Sequence, residues 1–177
     1  MNKTTRVVAV GAVIVALTVI LGWMPVVFLV PTLFACCAFG WKMSIFASTT
    51  FGVISLAYSF MMPSSPVSLA FINNPLIPIL ARIAVGIIAH GFFVAFNKFF
   101  DEKKKWIIVM LTAVVGSIMN TVLVGSCLLI FEPDIVLKGI SIGYLIIMGS
   151  IEAVVNAVVV PPVFLITKKH ALGAFIK

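Results

Sequence analysis

The sequence predicts an all-α integral membrane protein of six transmembrane helices with both termini in the cytoplasm, and three observations carry that expectation. First, 63% of the 177 residues are hydrophobic and 10% are charged, whereas soluble domains carry roughly a quarter charged residues. A soluble core of this size would leave too few polar side chains to wet its surface. Second, the charges are bunched: between Trp41 and Asn97 the only ones are Lys42 and Arg82, and between Trp106 and Glu132 there are none. Third, the apolar runs have the length of membrane spans, about 20 residues each, so the chain has room for roughly six crossings joined by short loops.

The first span is expected over residues 6–23, ended by Gly22, Trp23 and Pro25. No small-residue cleavage site follows it and further spans do, so it reads as a retained helix and not as a removable signal peptide. The second is expected over 26–41, with Pro31 in its opening turns, and the third over 43–61. Residues 62–74 then break helical character with Pro63, Pro66 and several small polar residues, and read as a loop. The fourth span, 75–97, opens on Pro75, a favourable first-turn residue. A charged segment from Lys98 to Lys105 separates it from the fifth, 106–131. After Glu132, Asp134 and Lys138 comes the sixth, 140–167, with Pro161 and Pro162 expected to kink its last third.

Loops rich in Lys and Arg stay in the cytoplasm. With the amino terminus inside, the inner segments hold Lys3, Arg6, Lys42, Lys98, Lys103, Lys104, Lys105, Lys168, Lys169 and Lys177, and the outer loops hold only Lys138. Basic segments at both ends require an even number of spans. Trp23, Trp41 and Trp106 fall at span ends, where amphipathic rings favour the interface. The net charge of +7 therefore records topology; no span carries the basic face that nucleic-acid binding would need. Cys36, Cys37 and Cys127 lie in apolar runs and read as thiols packed as small hydrophobes, with no spacing suited to a metal.

Polar residues at membrane depth are rare and costly, so each is a functional candidate. Arg82, Asn120, Glu152 and Asn156 stand out. At ~1.5 Å per residue, Arg82 lies about 10 Å below the outer start of its span, Glu152 about 16 to 18 Å below the start of its own, and Asn120 ~21 Å up from the inner side. All three fall in the outer half, beneath a loop that carries Ser68, Asn73 and Asn74. Two readings of the charged residues stand side by side: Arg82 and Glu152 pair across helices, or they meet a ligand. Asn120 and Asn156 could each simply bond a neighbouring helix, and Asn156 shares a face with Glu152 at i, i+4. His90 reads as a packed or carbonyl-bonded residue ahead of a proton relay. No nucleophile motif, Gly-rich phosphate loop, HExxH or cysteine cluster occurs, so neither an enzyme nor a cofactor or metal site is expected, and any ATP that drives this protein would bind another subunit. In the first span Ala9, Ala12 and Ala16 form a small-residue face that lets another helix approach closely in lipid.

With these residues in hand, the chain resembles the substrate-binding S components of energy-coupling factor vitamin transporters along nearly its whole length. The matching stretches run from Ala9 to Ala16, Pro78 to Gly86, Gly116 to Val124 and Glu152 to Asn156, in that order. One departure is Gly40-Trp41-Lys42, where many relatives carry a Gly-Pro turn. The resemblance implies a subunit of the bacterial plasma membrane that takes a water-soluble vitamin from outside. Its implied partners are a transmembrane coupling subunit, met by the alanine face of helix one, and two cytoplasmic ATPases. It further implies that the subunit topples in the bilayer to deliver its ligand. The expected pocket draws on Ser68, Asn73, Asn74, Arg82, Asn120, Glu152 and Asn156. Pantothenate, whose carboxylate would meet Arg82, is slightly favoured, with pyridoxine or hydroxymethylpyrimidine-like rings next. The alternative is a self-sufficient transporter or channel with Arg82, His90 and Glu152 along an ion-coupled path; it predicts internal repeats, and the two halves of the sequence show none.

Overall fold

The computed structural model describes residues 3–63, 65–134 and 142–170. Every regular element among them is helical: α1 (Lys3–Leu21), α2 (Val30–Ala38), α3 (Trp41–Met61), α4 (Pro66–Asn73), α5 (Leu76–Asn97), α6 (Lys105–Phe131) and α7 (Ile142–His170), with a short 3-10 turn at Glu102–Lys104 before α6. Four stretches are long and apolar enough to cross a membrane: Trp41–Met61, Leu76–Asn97, Glu102–Phe131 and Gly143–Thr167, and Val7–Leu21 is a shorter apolar helix. Their outward faces carry Val53, Leu80, Leu111, Ile118, Ile147 and Val154, all exposed, as a lipid-facing surface requires. The protein is a multi-pass helical membrane protein.

Two expected elements differ in form. The second span contracts to the nine residues of α2, about 13.5 Å of helix at ~1.5 Å per residue. Ahead of it, 22–29 run as successive tight turns, with the amides of Met24, Val27 and Val30 each bonding the carbonyl three residues back. Pro31 lies in the first turn of α2, where its missing donor costs nothing. The helix that follows is well covered: seven of the nine α2 residues are buried, and α2 touches α1, α3, α5, α6 and α7. It is the centre of the bundle. Leu29 and Leu33 pack there with Phe51, Val85, Val109 and Val160.

The second difference is the expected loop at 62–74, which contains α4. Pro66 is a helix-start residue there, not a breaker: Ser65 caps the helix by accepting the Ser68 amide at 3.0 Å, and Ala70 and Phe71 are buried beneath it. Asn74 then accepts the Leu76 amide on Oδ1 at 3.2 Å as α5 begins. α7 is helical through Pro161 and Pro162. Lys138, the first residues of the expected sixth span at 140–141, and Lys177 lie outside the described residues.

Close approach of the helices depends on small residues. At Gly52 a methyl group would sit 3.0 Å from both the Ile79 Cα and the Pro78 carbonyl oxygen, so α3 and α5 meet backbone to backbone and bring Phe51 over Arg82.

Candidate functional site

The two ends of the bundle differ in chemistry. At one end α5 hands over to α6 through Lys98, Lys103 and Lys104, all exposed, with Lys105 paired to Glu102. At the other, where α1, α3 and α6 finish and α5 and α7 begin, a cavity of about 440 Å³ opens between the helices. That volume falls within the usual range for small-molecule sites, about 300 to 1,000 Å³.

Arg82 lies two turns into α5 on the cavity wall and is 7% exposed. Its guanidinium carbon is 5.0 Å from the Phe51 ring centroid and 5.3 Å from that of Phe71, so one ring from α3 and one from α4 hold it. Cation–π contact stabilises the charge without using its N–H groups, and Nε and Nη1 are buried with no hydrogen-bond partner. No ion pair within 4.0 Å joins Arg82 to Glu152. Two buried guanidinium nitrogens left without acceptors are costly, which singles Arg82 out as the candidate functional residue of the cavity wall.

Glu152 of α7 faces the same cavity and accepts a long hydrogen bond, 3.4 Å, from Asn120 Nδ2 of α6. Asn120 is 7% exposed and its Oδ1 has no partner. Thr121, Ser68, Ser55 and Ser59 add hydroxyls to the wall. Ser68 shares a 2.8 Å hydrogen bond with Ser65, so α4 carries it at the cavity edge.

Four of the seven expected site residues, Ser68, Arg82, Asn120 and Glu152, thus line one cavity. The other three do not. Asn156, one turn along α7 from Glu152, is fully buried and donates from Nδ2 to Ser117 Oγ at 2.9 Å, the helix-to-helix bond that was its plainer reading. Asn73 is exposed and Asn74 starts α5. His90 donates from Nδ1 to the Cys36 carbonyl at 2.7 Å and takes the Trp41 ring edge-on at 4.5 Å, deep in the packed interior. Among the described residues no three His, Cys, Asp or Glu side chains gather as metal ligands.

Inspection of single polar residues missed the aromatic wall. Trp23 meets Tyr58 edge-to-face at 5.8 Å, Tyr58 meets Phe28 at 6.0 Å, and Phe28 meets Phe51 at 4.5 Å. Tyr58 is anchored by donating to the Val19 carbonyl at 2.6 Å, and Gly22 leaves the space its ring occupies. A signal for α3 was available: Phe51, Ser55 and Ser59 recur every fourth residue, which puts them on one helix face.

Fold and site together define a multi-pass helical membrane protein with a small-molecule-sized, polar-and-aromatic pocket at one end of its bundle. Neither a protein-family model nor a curated protein matches the chain.

Proposed function

We propose that this chain is the substrate-capture subunit of an energy-coupling factor importer in the bacterial plasma membrane, binding a water-soluble vitamin or vitamin precursor from outside. The observation that carries the reading is Arg82, buried on the wall of the 440 Å³ cavity with two nitrogens unpartnered. A desolvated cation with no hydrogen-bonded carboxylate of its own invites an acceptor from outside the chain. The carboxylate of pantothenate would supply one, and so would a hydroxyl oxygen or ring nitrogen of a pyridoxine-like or hydroxymethylpyrimidine-like compound.

Topology supports the same reading. With both termini in the cytoplasm, α1, the 22–38 segment ending in α2, α3, α5, α6 and α7 make six crossings, and the cavity end faces outward, away from the lysine-rich end. Delivery needs partners, because the chain carries no nucleotide-binding motif. The alanine face suits one. Ala9, Ala12 and Ala16 are exposed on α1, opposite the buried Gly11, Ile14 and Thr18 that face the bundle, so a transmembrane coupling subunit, bearing two separate ATPases, can dock there through close helix contact.

The test is a thermal-stability screen of the purified chain in detergent against water-soluble vitamins. A ligand at 100 times its Kd adds roughly 2.7 kcal/mol, so one compound should shift the melting temperature clearly, and Arg82→Ala should abolish that shift. Absence of any shift, together with uptake or ion flux by the chain reconstituted alone, would replace this reading with a self-sufficient transporter.

A further inference from the structure

The helices at the lysine-rich end do not stop at one level. α3 and α5 run antiparallel, with Gly52 set against Pro78 and Ser48 against Gly86, and α3 begins at Trp41, whose ring stands edge-on to His90 at 4.5 Å and lies beside Gly91. The last residues of α5, Phe92 to Asn97, therefore run on past the start of α3 for about 9 Å, at ~1.5 Å per residue. One side of this overhang is covered, where Phe93 meets Phe164 of α7 at 6.3 Å. The other side carries a ladder of rings: Phe92 lies 4.7 Å from Phe96, and Phe96 6.3 Å from Phe99. It opens toward the turn, with Phe96 45% and Phe99 71% exposed.

The ladder ends in cations. Lys98 Nζ lies 5.3 Å from the Phe99 ring centroid, its stem along the apolar surface and its charge at the edge. From Lys98 to Lys105 the turn holds four lysines against Asp101 and Glu102, and Glu102 is paired with Lys105. Lys98, Lys103 and Lys104, all exposed, thus outnumber the carboxylate that is left. An open aromatic face that ends in excess positive charge fits a molecule apolar along its length and anionic at its head. Free phosphate would leave the rings bare, and a zwitterionic headgroup would bring its own ammonium to the lysines. We infer that the overhang of α5 seats an anionic phospholipid, with an acyl chain along Phe92, Phe96 and Phe99 and the phosphate at Lys98, Lys103 and Lys104. This seat is independent of what the pocket binds.

The experiment is native mass spectrometry of the purified full chain titrated with phosphatidylglycerol or phosphatidylcholine of matched acyl chains, on wild type, Lys103→Gln/Lys104→Gln, Lys42→Gln and Phe99→Ala. A lysine near an anionic headgroup contributes about fivefold in affinity. Phosphatidylglycerol should therefore bind wild type at least about tenfold tighter than phosphatidylcholine, and the double variant should lose most of that preference. Lys42 is the charge-matched control. It is exposed beside Trp41 at the start of α3, about 12 Å short of Lys98 along α5 and beyond the Debye length of about 10 Å at 0.1 M salt, so Lys42→Gln should leave the preference within about twofold. Phe99→Ala removes ring surface and no charge, and should weaken both lipids alike. Every substituted side chain is exposed, so each variant tests the folded chain. Equal affinity of the two lipids for wild type, a loss from Lys42→Gln as large as that from the double variant, or displacement of the lipid by inorganic phosphate overturns the assignment.

Discussion

The packed interior around α2 and the pocket above it treat buried polar groups in opposite ways. In the interior they bond one another. Ser44 Oγ donates to the Gly86 carbonyl at 2.9 Å, which leaves the Cys36 thiol to donate to Ser44 at 3.0 Å; Ser48 donates to the Ser44 carbonyl at 2.8 Å, and His90 and Asn156 each find a partner. Among the described residues, what stays unpartnered outside the pocket is one neutral oxygen each on Thr32, Asn97 and Asn156. In the pocket the unpartnered atoms are two nitrogens of the Arg82 guanidinium and Asn120 Oδ1. An unmet charged group costs more than an unmet neutral one. The first region holds helices together, the second is where we propose that a ligand binds, and substitutions should separate the two roles.

The largest effect on folding should come from Leu33→Ala. Leu33 is fully buried at the centre of the bundle, and removing such a side chain costs about 2–5 kcal/mol through lost contacts and a cavity. Unfolding of the detergent-solubilised chain should show that loss, while the Kd of a bound ligand stays within a few-fold. Arg82→Ala should act on binding: the roughly 2.7 kcal/mol that a ligand at 100 times its Kd contributes disappears from the thermal shift, beyond whatever ligand-free stability goes with the lost Phe51 and Phe71 contacts. His90→Ala should be milder. It forfeits one hydrogen bond, worth about 0.5–1.5 kcal/mol, together with the Trp41 contact, and leaves ligand affinity alone; a loss of binding or transport with intact folding would place His90 on a functional path. Ala12→Leu should move stability least, within about 0.5 kcal/mol, as surface changes do. Ala12 is exposed, so on the proposed function its effect should appear in uptake with a coupling subunit present and not in binding by the isolated chain.

The ends of α1, α3, α5 and α6 were legible because apolar runs end at charges, prolines and tryptophans: α5 runs Leu76–Asn97 and α6 Lys105–Phe131, within a residue of the spans expected. The short α2 was not, because hydropathy reports that 22–38 is apolar but not that 22–29 runs as tight turns ahead of the helix. α4 was hidden by its prolines, which signal a break unless Ser65 is seen to cap the turn that follows. For the site, counting residues measures depth along a helix but not the direction a side chain takes around it. Depth alone brought Arg82, Asn120 and Glu152 together correctly. Asn156 shared a face with Glu152, yet the antiparallel register of α6 and α7 sets Asn120 against Glu152 and Ser117 against Asn156, so one turn of helix separates a pocket residue from a packing residue. The ring pair around Arg82 comes from α3 and α4, and only tertiary structure joins them.

The most direct test of the central claim, that the pocket end binds a small molecule on its own, is equilibrium binding of radiolabelled vitamins to the purified chain with no coupling subunit or ATPase present. A saturable site of one ligand per chain, lost in Arg82→Ala and retained in His90→Ala, is the predicted result. Binding that survives Arg82→Ala unchanged, or that appears only when other subunits are added, would contradict it.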